Sequence, residues 1–181
     1  AAAGLAESYG ALATVLLRQA HPDRQKAQRE ELFRRMVFNI LIDNTDDHEK
    51  NHSLLVSSPL ANGRLRLAPA YDVLPTNSGQ GFQEFICGTQ GQDSTIENAM
   101  SQCDAFGLTP VEAAAEVAQV IAVVNGWKEH FTQVGVSARD IADIADRIDG
   151  PQLLGQRTSF TADRFQAPAN KAKRISPFRR S

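Results

Sequence analysis

Apolar positions recur through most of this chain at three- and four-residue intervals, and the places where that rhythm fails divide it into segments. Leu5, Tyr9, Leu12, Leu16 and Leu17 share one helical face, which predicts an amphipathic helix over residues 5–19. His21-Pro22-Asp23 interrupts it and restarts the chain, proline being well suited to a helix's first turn. Leu32, Phe33, Met36, Val37, Ile40 and Leu41 then form a continuous stripe, with Arg29, Arg34 and Arg35 on the other side. This second helix should stop near Asp43-Asn44, whose side chains compete for backbone hydrogen bonds.

After the polar segment 43–52 the period changes. Leu54-Leu55-Val56 and Leu65-Arg66-Leu67 read as short strands, and Asn62-Gly63 between them as the turn of a hairpin. Gly79, Gly81, Gly88 and Gly91 mark a mobile, loop-rich stretch from Pro75 to Asp93. Helices then return. Ser94-Thr95-Ile96-Glu97 has the capping-box spacing, followed by Ala99, Met100, Cys103 and Phe106, with Gly107 as a stop. Thr109-Pro110-Val111-Glu112 repeats the pattern with proline at the first helical position, and its helix carries Val117, Val120, Ile121, Val124, Trp127 and Phe131. Ser137-Ala138-Arg139-Asp140 opens another, with Ile141, Ile144 and Ile148 inward. The expected fold class is mainly α, with one small hairpin in the middle.

Composition changes this picture little. A chain of 181 residues, 42% hydrophobic, fits one domain with a real core. Cys87 and Cys103 form neither a disulfide framework nor a CxxC pair, so they read as reduced, buried thiols of a cytoplasmic protein. The Ala-rich start has no basic n-region, and Glu7 and Arg18 flank its best apolar run, so neither a signal peptide nor a membrane span is expected. Charge is unevenly placed. From Pro151 onward there are seven Lys/Arg against Asp163 alone, while the remainder carries 12 basic and 20 acidic residues. Such a basic end can meet nucleic acid, a partner or its own domain, and a solvated tail is the plainest reading.

The chemistry concentrates in Asp43-Asn44-Thr45-Asp46-Asp47-His48-Glu49-Lys50-Asn51-His52, between a buried helix and a strand. Three readings compete. In the first, Asp46 and Asn51 have the Asp-x-x-x-x-Asn spacing of a phosphoryl-transfer loop, where a carboxylate orients the attacking hydroxyl and an amide oxygen helps to hold magnesium. Asp72, just after the second strand, would be folded back by the hairpin as the second oxygen ligand for a hard cation. In the second, His48-Glu49-Lys50-Asn51-His52 matches the HExxH of zinc proteases, which needs a helix to aim both imidazoles from one face. The polar residues before it and the strand after it offer such a helix no apolar seat. In the third, the segment is an acidic, Asn-rich loop that caps its neighbours.

The run Leu32-Phe33-Arg34-Arg35-Met36-Val37-Phe38-Asn39-Ile40-Leu41, then Asn44-Thr45-Asp46-Asp47-His48, Lys50-Asn51-His52 and Leu67-Ala68-Pro69-Ala70-Tyr71-Asp72-Val73-Leu74-Pro75, resembles the C-terminal lobe of HipA-type toxin kinases. The resemblance extends through Ala105-Phe106-Gly107-Leu108 and Asn125-Gly126-Trp127 to about Leu154. It divides the chain into a kinase C-lobe over 1–154 and a basic tail over 155–181. It implies a serine/threonine kinase of a type II toxin–antitoxin module that uses ATP and Mg2+. Asp46 would be the base and Asn51 and Asp72 the metal ligands, with His48, Lys50 and Tyr71 on the nucleotide side. The implied partners are a protein substrate and a DNA-binding antitoxin of the HipB type, with DNA contact through that complex or the basic tail, and no membrane. His52, without an assigned partner, is expected to shape the loop, and Asp47 and Glu49 to solvate or cap it.

One expected part is missing. A kinase also covers the phosphates with a glycine-rich loop and a lysine. Residues 1–20 hold only Gly4 and Gly10, and the first lysine is Lys26. The expectation is therefore a piece of a longer kinase, inactive alone. The alternative is a non-catalytic module that binds an antitoxin or a target.

Overall fold

The structure is a computed structural model and describes residues 8–56, 63–76 and 81–165. Helix α1 (Tyr9–Gln19) begins where Ser8 accepts a hydrogen bond from the Ala11 amide. A single 3-10 turn, Pro22–Arg24, follows at the expected break and leads into α2 (Gln25–Leu41). The stripe read from the sequence is the centre of the core: Leu32, Phe33, Met36, Val37, Ile40 and Leu41 are all fully buried. Tyr9, Ala13 and Leu16 of α1 pack on one side of it, and Val117 and Val124 of α4 (Pro110–Asn125) belong to the same cluster. The arginines opposite the stripe are not left to solvent. Arg34 pairs with Glu116 of α4 at 2.9 Å, and Arg35 donates to the Ala68 carbonyl at 2.9 Å, so α2 is held on both flanks.

Strands β1 (Leu54–Val56) and β2 (Leu65–Leu67) form the expected antiparallel hairpin, with Leu54 opposite Leu67 and Val56 opposite Leu65. Gly63 has φ of 64°, the left-handed conformation that its lack of Cβ permits; Asn62 lies outside the described residues. Of the glycine-containing stretch, residues 77–80 with Gly79 lie outside the described residues, and residues 81–93 carry no helix or named strand but are not a loose loop. Phe85 and Cys87 are buried, and Gln83 is fully buried with its amide donating to Ser94 Oγ at 2.8 Å. Burial holds the Cys87 thiol well above the ordinary range, with the Asp47 charge adding to it, which fits an inert packing cysteine.

Helix α3 (Ile96–Met100) is capped by Thr95, which accepts from the Asn98 amide, rather than by Ser94 as the sequence spacing suggested. A 3-10 turn, Cys103–Phe106, and the left-handed Gly107 end that unit. The Thr109–Glu112 box is complete in both directions. Gly126 breaks the helix that the sequence read as one, so Trp127 and Phe131 belong to a separate α5 (Trp127–Gln133). Ser137 caps α6 (Ala138–Ile148) as expected. Helix α7 (Pro151–Ser159), not read from the sequence, runs across the boundary placed at 154 and is anchored by the buried Arg157. Of the basic tail, residues 166–181 lie outside the described residues. No helix among the described residues is long and apolar enough to cross a membrane.

Candidate functional site

The segment 43–52 is shaped by what precedes it. Helix α2 ends at Leu41, and Asp43 turns the chain with φ of 62°, in the left-handed region that Asp tolerates better than most residues. The Asp43 carbonyl accepts from both the Thr76 amide and its hydroxyl, at 2.9 and 2.8 Å. The Glu84 and Phe85 amides donate to the Thr45 and Asp47 carbonyls at 3.1 and 2.9 Å. The stretch after the hairpin thus lies along the loop and holds it.

Asp46 and Asp47, adjacent in sequence, have opposite environments. Asp46 is exposed. Asp47 is 1% exposed, and its carboxylate accepts from the Tyr9 hydroxyl and sits 3.1 Å from His52 Nε2. His52 stacks on Phe85 with ring centroids 5.2 Å apart and meets Tyr9 edge-on. Burial, reinforced by the Asp47 charge, pushes the Tyr9 hydroxyl well above its ordinary range, so it stays a proton donor. His52 shapes the loop, as expected. Asp47 departs from its expectation, being an interior anchor instead of a solvated or capping group.

Of the other candidates, Asn51 is buried, and its Nδ2 donates to the Asp46 carbonyl at 3.4 Å, which closes the loop from Asp46 to Asn51. That bond uses the amide nitrogen of Asn51 and not its oxygen. Lys50 is exposed, and its carbonyl accepts from the Tyr71 hydroxyl at 2.6 Å. That bond lays the chain at 71–72 beside the chain at 50–51. Asp72 is exposed and has φ of 55°. Its carbonyl accepts from Asn44 Nδ2 at 3.4 Å. His48 is half-buried, with no hydrogen-bond partner to its buried Nδ1. Asp46, Lys50, Tyr71 and Asp72 are all exposed. A cleft of about 610 Å³ is lined by Asn51, His52 and Tyr71 together with Phe38 and Val120, and Asp46 and Asp72 are outside its lining.

An amide oxygen and a carboxylate are hard donors, and a pair of them suits Mg2+, which keeps waters and substrate phosphates in its shell. No group of three or more His, Cys, Asp or Glu that could hold a metal forms among the described residues. The HExxH stretch is not a helix: Glu49–Asn51 is one 3-10 turn, and His48 and His52 on either side are extended. The Asp47 carboxylate already engages His52 Nε2. That geometry does not aim two imidazoles at one ion.

Sequence reasoning missed Asn39, Asn44 and Tyr9 as supports of the site. Asn39, a polar residue 3% exposed within the buried end of α2, was the one signal available.

Comparisons with known proteins bear on the fold and the family. No curated protein matches the sequence. Among solved structures, a chain of the Shewanella oneidensis MR-1 toxin–antitoxin complex of HipA, HipB and operator DNA shares the fold, with a TM-score of 0.65 at 17% identity. The match covers 87% of this chain and 37% of that one, so this chain spans little more than a third of its neighbour's length. The family model for the HipA-like C-terminal domain matches residues 2–127, from the first helix through the hairpin and loop to Trp127, and the chain belongs to that family.

Proposed function

We propose that this chain is the base- and metal-bearing lobe of an ATP-dependent serine/threonine protein kinase, the toxin of a type II toxin–antitoxin module. The observation that carries this reading is the arrangement of three oxygen-bearing residues: Asn51 is bonded to the Asp46 carbonyl, and Asn44 from the same loop reaches the Asp72 carbonyl. Asp46, exposed at the rim, would orient the hydroxyl of a protein substrate and accept its proton. Asn51 and Asp72 would hold Mg2+, which when bound neutralises charge on the transferring γ-phosphate of ATP. His48, Lys50 and Tyr71 would line the nucleotide side. The DNA-binding antitoxin of the HipB type is proposed as partner because the solved neighbour comes from a HipA–HipB–DNA complex.

A non-catalytic module is the second reading, favoured by the apolar rim of Val73, Leu74 and Val123, which are 39%, 50% and 66% exposed. One experiment separates the two. In the full-length protein carrying this lobe, Asp46→Asn should bind ATP as wild type does and lose phosphate transfer by about 100-fold or more. Transfer at the wild-type rate would remove Asp46 as base. A wild-type protein that binds no ATP would leave the binding module.

A further inference from the structure

A single hydrogen-bonded path runs through the interior beneath the candidate site. Asn44 Nδ2 donates both to the Asp72 carbonyl, at 3.4 Å, and to Asn39 Oδ1, at 3.2 Å. Asn39 Nδ2 donates to the Tyr9 hydroxyl at 3.1 Å. Tyr9 in turn donates to Asp47, whose carboxylate engages His52, the neighbour of Asn51. Asn39, Asn44, Tyr9 and Asp47 are all 3% exposed or less, and the His52 side chain is 4% exposed.

The path has a property that packing alone would not require. Its two ends are the two places where the proposed metal ligands sit: the Asp72 turn at one end, the residue after Asn51 at the other. An apolar filling of the same volume would hold these segments near each other without fixing their relative register. Hydrogen bonds are directional, so a buried chain of them admits few alternative arrangements, although His52 Nδ1 at its end has no hydrogen-bond partner.

We infer that Tyr9 and Asn44 are positioning residues for divalent-cation binding, setting the spacing between Asn51 and Asp72 through this buried path. The inference rests on the reading of Asn51 and Asp72 as metal ligands. Neither Tyr9 nor Asn44 touches the ion. They act through Asp47 and His52 on one side and the Asp72 carbonyl on the other. Groups that orient a metal's ligands in this way change affinity by roughly 10- to 100-fold when removed.

The test uses Mn2+ as the probe, in the full-length protein with ATP present, with free Mn2+ read by electron paramagnetic resonance. Tyr9→Phe keeps the ring against His52 and Phe85 and removes only the hydroxyl. Asn44→Ala breaks the path at its other end and carries the test if Tyr9→Phe does not fold. Each folded variant should bind Mn2+ about tenfold more weakly. The double variant should be weakened no more than either single one, because both cut one path. Unchanged Mn2+ affinity in both folded single variants would overturn the inference, as would factors that multiply in the double variant. Asp72→Ala is the reference. If it loses Mn2+ while both folded single variants retain it, the positioning role alone falls. If Asp72→Ala itself binds Mn2+ like wild type, the metal-ligand reading falls and takes the inference with it.

Discussion

The Tyr71 hydroxyl donates to the Lys50 carbonyl at 2.6 Å and lies 2.7 Å from Ser53 Oγ, tying the chain that leaves the hairpin to the chain that enters it. Tyr71 is 41% exposed, so water can replace these bonds. Tyr71→Phe should cost about 1 kcal/mol or less in urea unfolding. Turnover of the full-length protein should fall by less than about tenfold, a loss of ~1.4 kcal/mol in transition-state binding. A far larger loss would place the hydroxyl in the chemistry itself.

Asp46 and Asp47 should give opposite results. Asp46→Ala removes an exposed side chain and should change stability by less than about 0.5 kcal/mol while abolishing phosphate transfer. Asp47→Ala leaves the Tyr9 hydroxyl and the His52 imidazole buried without their partner. It should cost about 3 kcal/mol. Denaturant curves for both variants check the contrast, and equal stabilities would show that the interior anchor is misassigned.

Arg157 is 4% exposed and donates to Asn125 Oδ1 at 2.9 Å, the Ile148 carbonyl at 2.6 Å and Asp149 Oδ1 at 2.7 Å. It therefore ties α7 to the ends of α4 and α6. Arg157→Ala should destabilise the lobe by about 2 kcal/mol, since it removes a buried side chain and leaves the Ile148 carbonyl without its partner, while Asp149 keeps Lys128. Thermal unfolding reads this directly. A melting temperature unchanged from wild type would show that α7 is an appendage.

The acid side of the stability curve should report the α4 cap. The Glu112 carboxyl is held down to about 2 by the Thr109 amide first, then the Thr109 hydroxyl and Lys26. Its folded value lies below the ordinary 4.5, so its contribution is complete above pH 4.5 and is lost as pH falls towards about 2. In Thr109→Ala the carboxyl should titrate closer to its ordinary value by NMR, and the loss of stability across that window should flatten. A Glu112 midpoint that does not move in the variant would rule out the Thr109 hydroxyl as a contributor, the backbone amide being retained by alanine.

What the sequence made legible was what local chemistry decides. The Leu32–Leu41 stripe, the Leu54–Val56 and Leu65–Leu67 pairing and the Thr109 box each follow from spacing over a few residues, and each is found as expected. The Gly126 break was not legible because Val124, Trp127 and Phe131 continue the apolar spacing straight through it. The supports of the site were hidden for another reason. Tyr9 reads as one more apolar position of α1, and its hydroxyl meets a carboxylate 38 residues away. Asp47 looks like any loop acid until the fold buries it. Within the site, Asp46 with Asn51 carried a spacing that could be read directly.

Position 72 carries one more consequence. Its φ of 55° is a conformation that side chains with a branched or bulky Cβ resist, and that Gly, Asn and Asp occupy most readily. The backbone therefore favours a short alphabet there, led by Gly, Asn and Asp, before any ligand is considered. The proposed metal-ligand role, with its demand for negative charge, then leaves one. Shape and charge arrive at Asp by independent routes, so a substitution at 72 that preserves the turn must surrender the charge, and one that preserves the charge with Glu must strain the turn.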